Sequence, residues 1–347
     1  MFGMRHGNRN PTQFLKEVTG DWGLEGDMEL TPFGKRQGYA FGRELREYLK
    51  GYLSANYMPS EAKFYSSSAN RCQMTLQVTL AGLYPPRSFA LWNLALDWSP
   101  VPYAIDDPML RMYAVKCPKS DEAWAPITND LLPELSAQLQ RNNMLLEYMT
   151  KNTGWKPTLA NAADLADNLL EISVYNTSYP AWIENVNLTG YNTSEQLIND
   201  YLKFMESHQI ACANYEPCRK MMAGYWLYNI LDTFETIMNT TKPVSKLIGF
   251  ASHTEIVLSL MKEMMIDRHE LTTTAGFILE VRDRPEWSVR ILTHDPIGFD
   301  SHVINKAQYL PDLQKLAHKD GWIPLNEFIE LVSPNAFKNW KRDYIRF

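Results

Sequence analysis

Apolar residues recur at helical and strand spacing along most of the chain, and the two ends share one pattern that the middle lacks. Near the start, Thr31 can cap a helix whose first turn accepts Pro32, and Phe41, Leu45, Tyr48, Leu49 and Tyr52 form one apolar stripe. A short strand over 63–66 leads into a second helix from about Ala69, ended by Gly82 and the pair Pro85 and Pro86. Toward the other end, Lys246 to Ser252 reads as a buried strand followed by a helix from about Thr254 to Met265. Two more strands, Ala275 to Val281 and Trp287 to Leu292, are joined by a turn-like Arg-Asp-Arg-Pro.

Between these halves the periodicity is helical throughout. The spacing predicts helices over 134–151, 158–174, 194–208 (capped by Ser194) and 219–238, the last with Met222, Trp226, Ile230, Phe234 and Ile237 on one face. Strand–helix order at both ends with helices between predicts an α/β fold: a mostly parallel central sheet with helices on both faces, plus a helical cap insertion. The expected division is a discontinuous core, 1–118 and 241–347, with the cap at 119–240. No repeat or low-complexity tract interrupts the chain.

Composition sets bounds on function. The chain has 347 residues, enough for one large or two ordinary domains. With 10 Trp, 18 Tyr and 14 Phe it is not a disordered chain. A net charge of −6, with no basic cluster beyond a short terminal one from Lys338 to Arg346, argues against nucleic acid as a partner. No apolar run is long enough to span a bilayer. The chain starts without a signal peptide, yet Asn176, Asn187, Asn192 and Asn239 each open an Asn-x-Ser/Thr glycosylation pattern, three of them within 17 residues. With four cysteines (Cys72, Cys117, Cys212, Cys218), this predicts a secreted or lysosomal protein of the secretory pathway whose export signal is missing from this chain.

Three short segments carry candidate chemistry. Arg5, His6, Gly7 and Arg9 place two guanidinium forks, which match phosphate oxygens, beside an imidazole able to take a phosphoryl group covalently. Gly7 allows either close backbone approach or a positive φ. In the Ser66–Arg71 segment, a strand end meets a helix start, which favours anions, although a capping serine run with a surface arginine would look the same. His253 and Glu255 follow the strand ending near Ser252, at the edge where open α/β sheets bind ligands. Taken alone, Glu255 reads better as an ordinary first-turn acid.

Together these segments resemble the histidine acid phosphatases of the histidine phosphatase superfamily, branch 2. Residues 5–11 match that family's Arg-His-Gly-x-Arg-x-Pro motif at every specified position. Further similarity runs through Leu30 to Arg46, Ser67 to Pro86, Pro180 and Trp182, and Asp320 to Leu331. The resemblance implies an acid phosphatase acting on a small phosphate monoester through a phosphohistidine at His6, with Arg5, Arg9, Arg71 and His253 holding the phosphate and no cofactor or metal. The family's usual proton donor, an Asp after the second His, is replaced here by Thr254; His253-Thr254-Glu255 resembles a variant in which Glu255 is the donor.

Other departures are visible. Only Met1 to Met4 precede the motif, so the central strand should be clipped and its loop poorly held. Ile323 stands where the family often has a cysteine. Cys212 and Cys218 are close enough to pair locally, whereas Cys72 reads as a buried free thiol. The resemblance also allows a homodimer. Two other functions stay open: a phosphoryl-transfer mutase, or a catalytically weak or inactive secreted binding protein on the same fold. The sequence argues against a cysteine-based phosphatase, because no Cys is followed six residues later by Arg.

Overall fold

A computed structural model describes residues 1–16, 22–239 and 244–338. The expected core–cap junction at 240/241 and most of the terminal basic stretch lie outside the described residues. The chain opens with β1 (Phe2–Arg5), α1 (Pro32–Tyr48), β2 (Ala62–Ser66), α2 (Asn70–Leu83) and β3 (Ala104–Ile105). Helices follow: α3 (Asp107–Leu110), α4 (Pro118–Thr128), α5 (Pro133–Arg141), α6 (Asn143–Thr153), α7 (Leu159–Val174), α8 (Ala181–Glu184), α9 (Ser194–Leu202), α10 (Ser207–Asn214) and α11 (Glu216–Asn239). Then come β4 (Leu247–Ser252), α12 (Thr254–Glu263), β5 (Gly276–Arg282), β6 (Ser288–Ile297), β7 (Ser301–Lys306), α13 (Pro311–Leu316), β8 (Trp322–Pro324) and α14 (Leu325–Val332).

The strands form one sheet in the order β3-β2-β4-β1-β5-β6-β7, with β8 beside β6. β3, β2, β4 and β1 run parallel, and β5 to β8 add antiparallel pairings. The fold is α/β, as the strand–helix order at the two ends implied. β4 is a nearly continuous apolar run because it is covered on both faces. β1 has only four residues, but the expected loosening is not seen. Phe2 and Met4 are fully buried, and β1 pairs with β4 on one side and β5 on the other.

The first helix starts where its cap predicts: the Thr31 hydroxyl accepts from the Gly34 N–H. Its apolar stripe is shorter than expected. Phe41 and Leu45 are buried, whereas Tyr48 and Tyr52 are exposed, and Tyr52 lies beyond the helix. The remaining contact with α2 is made through glycine; a Cβ on Gly42 would lie 2.0 Å from the Thr79 carbonyl oxygen.

Two of the helices expected in the middle are each divided. The 134–151 segment breaks at Asn142. The 194–208 segment is capped by Thr193 rather than Ser194 and breaks before α10, where Glu206 takes a left-handed backbone (φ 58°). One apolar cluster runs from Leu146, Leu165 and Trp226 of the helical block to Phe277 and Phe328. A disulfide between Cys212 and Cys218 joins α10 to α11, and Cys72 is a buried free thiol. No helix among the described residues is long and apolar enough to cross a membrane.

Candidate active site

β2, β4 and β1 are neighbours and end level with one another: Ser66 is in register with Ala251, and Arg5 with Ser252. The residues just beyond each strand therefore emerge at one edge, the carboxyl edge where α/β sheets bind ligands. His6 follows β1, Ser67 follows β2 and His253 follows β4. The His6 N–H donates to the Ser252 carbonyl and the Ser67 N–H to that of Ala251, which fixes the three strand exits to one another.

His6 is buried, and its ring lies 5.6 Å from that of His253, centroid to centroid. Its Nδ1 is 2.9 Å from the Gly7 carbonyl oxygen. That oxygen can only accept, so Nδ1 carries the hydrogen and Nε2 keeps a lone pair. Burial, followed by the charges of Arg71, Arg5, His253 and Arg9, holds the His6 pKa well below its usual value. Both effects disfavour the charged imidazolium and favour the neutral ring with its Nε2 lone pair.

Gly7 answers the question its sequence left open. It has no positive φ; its value is close approach, since a Cβ there would lie 2.5 Å from the Gly34 carbonyl oxygen. The Gly7 N–H donates to Thr75 Oγ1 on α2, and the Asn8 N–H to Gln37 Oε1 on α1, so the loop is seated on both helices.

The three predicted arginines and His253 converge. Arg71 is not a surface residue: it is 8% exposed, and its Nη2 donates to His253 Nδ1 at 3.2 Å. His253 must then donate from Nε2, and Ser67 Oγ accepts at 2.9 Å. Ser67 thus orients a histidine rather than capping α2, whose N-cap, Ala69, makes no side-chain bond. Arg9 pairs with Asp167 at 2.8 Å, and Arg5 Nη2 pairs with Glu206 at 2.5 Å while Nη1 donates to the Leu271 carbonyl. The Nε atoms of Arg5 and Arg71 are buried without a protein partner.

Glu255, in the first turn of α12, is also buried in this cluster. Burial raises its carboxyl pKa and the Glu206 charge raises it further, against bonds from its own N–H and from the Tyr113 hydroxyl and the charge of Arg71. A cavity of about 360 Å³ opens over these groups, lined by His6, Arg9, Arg71, His253 and Glu255 with Tyr113 and Trp124 at its apolar side. A larger cleft of about 1260 Å³ lies at the opposite end of the strands, between Met1, Tyr48, Lys246 and Trp322, remote from this cluster. Among the described residues no group of three or more His, Cys, Asp or Glu is placed to hold a metal.

Several members of the cluster carry no sequence signal. Glu206, Asp167 and Tyr113 come from the helical block or its approach. Asn8, inside the motif but unassigned, donates to Glu171 on α7 at 2.6 Å. Arg111 donates to Ser68 Oγ at 3.2 Å and is among the charges that lower the pKa of His253.

A buried imidazole whose pKa is lowered by three nearby arginines, with a buried carboxyl lining the same cavity, defines a class of site suited to phosphoryl transfer. The sequence profile of the histidine phosphatase superfamily (branch 2) matches residues 14–270, and the chain belongs to that family. Human lysosomal acid phosphatase is 23% identical over 98% of this chain and 78% of its own length. Bovine prostatic acid phosphatase is 23% identical over 98% of this chain and 85% of its own. Among solved structures, a Hafnia alvei phytase in complex with tartrate superposes with a TM-score of 0.70 at 16% identity, covering 97% of this chain and 96% of that one. That likeness is one of fold.

Proposed function

We propose that the chain is an acid phosphatase that hydrolyses phosphate monoesters in two steps through a phosphohistidine at His6. The observation that carries the reading is His6 itself, with its Nε2 lone pair open in a ring of Arg5, Arg9, Arg71 and His253. Nε2 attacks phosphorus while the bond to the alcohol oxygen breaks, and that oxygen takes the Glu255 proton. Water then attacks the phosphohistidine, the Glu255 carboxylate takes its proton, and Nε2 leaves as phosphate forms. The guanidinium groups offset the charge that develops on the phosphoryl oxygens. Tyr113, Trp124 and Met28, which line the same cavity, favour an alcohol with a ring or another apolar body.

Membership in the family and kinship with acid phosphatases support phosphomonoester hydrolysis. Passage through the secretory pathway is inferred from relatives named lysosomal and prostatic. Exposure of Asn176, Asn187, Asn192 and Asn239, together with the Cys212–Cys218 bond, agrees with that route.

The test is turnover of an aryl phosphate by the chain and by His6→Ala, with acid-quenched protein assayed for phosphohistidine. Turnover and a trapped label in the parent, both absent from the variant, are expected. Equal inertness of both proteins, with phosphate still bound, would make the chain a binding protein instead.

A further inference from the structure

Glu206 has no part in the reaction drawn above, yet it shares the cavity with His6 and Arg71. Its Oε1 is 2.5 Å from Arg5 Nη2, and the Thr254 hydroxyl donates to the same carboxylate. The residue stands between α9 and α10 in the left-handed region (φ 58°, ψ 16°), which disfavours any residue with a Cβ. The other groups facing it are Arg9, Asp167 and Glu255. Burial works to raise the Glu206 pKa, but the charges of Arg5 and Arg9 outweigh it and keep the group ionised.

A carboxylate offers a guanidinium oxygens of the same kind as a phosphate does. Arg5 Nη1 is committed to the Leu271 carbonyl and Nη2 holds Glu206, while Nε has no protein partner, so an oxyanion gripped by the Nε–Nη2 edge of Arg5 meets Glu206 at Nη2.

We propose that Glu206 is a built-in competitor: its carboxylate occupies the Arg5 Nη2 donor that a phosphate gripped by Arg5 would share, so phosphate binds in competition with it. This rests on the phosphate cradle assigned above and adds a determinant of affinity to it. A cage of several arginines around a dianion would release its product slowly, and product release limits many enzymes. A carboxylate returning to Arg5 opposes that retention.

The experiment uses the full chain, with inorganic phosphate as competitive inhibitor of aryl phosphate turnover, in the parent, Glu206→Gln and Glu206→Asp. Glu206→Asp keeps the charge but is one methylene too short to hold Arg5 as the native side chain does; Glu206→Gln also removes the charge. The inhibition constant should fall at least about tenfold in Glu206→Gln, in line with loss of a charge-assisted competitor. It should fall by less, but still fall, in Glu206→Asp, with KM following in both. Melting curves establish that each variant is folded. A constant unchanged or raised in both overturns the proposal, as does a fall confined to Glu206→Gln, which would make Glu206 a remote charge and not a competitor. If the parent neither turns over substrate nor binds phosphate, the cradle itself fails, which is a different result.

Discussion

Replacing Gly7 by Ala is the sharpest test of how the nucleophile is held, because the residue touches no substrate. The new Cβ would sit 2.5 Å from the Gly34 carbonyl oxygen, 2.7 Å from Gly34 Cα and 2.9 Å from Gly34 C. Ordinary contact begins at 3.4 Å, so the first of these is about 0.9 Å too close. All three atoms are backbone of α1, which is packed on α2 and cannot yield as a side-chain tip would. The packing is tight from both sides, since the Cβ position of Gly34 is itself 2.2 Å from the Asn8 carbonyl oxygen of the same loop. The loop must move, and His6 is the adjacent residue. Overpacking of this kind costs ~1–3 kcal/mol of stability. A displacement near 1 Å of a reacting group costs about 10²-fold in rate. Gly7→Ala should therefore lower kcat on an aryl phosphate by about two orders of magnitude while the protein still melts cooperatively. Phosphate affinity should suffer less, because Arg71 and His253 stand on other elements. A folded Gly7→Ala protein with parental kcat would refute the claim that the α1 backbone positions His6.

Glu255→Gln should reduce kcat on alkyl phosphates by about 10²–10⁴-fold, and by less on aryl phosphates whose leaving group needs no proton. Because burial and then Glu206 raise the Glu255 pKa, the acid form persists to higher pH than an exposed carboxyl would allow. Parental kcat should decline as pH rises through that raised value, and this limb should vanish from the variant's profile. Burial pushes the Glu171 carboxyl up to about 7, against its bond from Asn8. The folded state then holds a proton that the unfolded chain releases near 4.5, so stability should fall as pH rises from about 4.5 to 7, by up to ~3 kcal/mol. Glu171→Gln should flatten that slope in melting curves, and an unchanged slope would count against it. Ser67→Ala leaves the buried His253 Nε2–H with only the weak Cys72 sulfur acceptor at 3.5 Å, which should cost ~1–3 kcal/mol and weaken inorganic phosphate binding. Trp124→Ala should raise KM for aryl phosphates more than for small alkyl ones, and an equal rise for both would remove Trp124 from the alcohol site.

The parts of this structure that local pattern controls were legible in advance. α1, α2, α7 and the β4–α12 junction lie within a few residues of their predicted positions, because caps, prolines and apolar spacing act over short range. The strand ends bearing His6 and His253 were legible for the same reason. Glu206 was not, since its meeting with Arg5 spans 201 residues and depends on where a helix breaks. The same holds for Asn8 and Glu171, 163 residues apart. Arg71 alone looked like a surface residue, because nothing local shows that His253 will cover it. β7 escaped notice because Ser301–Lys306 is a half-exposed edge strand without clear alternation.

The links from α7 to the motif have a consequence for anyone who would redesign this molecule. Asp167 and Glu171 stand about one helical turn apart and hold Arg9 and Asn8, the two residues after Gly7. The helical block is thus a structural partner of the loop that carries His6. Grafting another relative's insertion onto this sheet would cut both tethers at once, unless the graft brings a matching pair of carboxylates at that spacing.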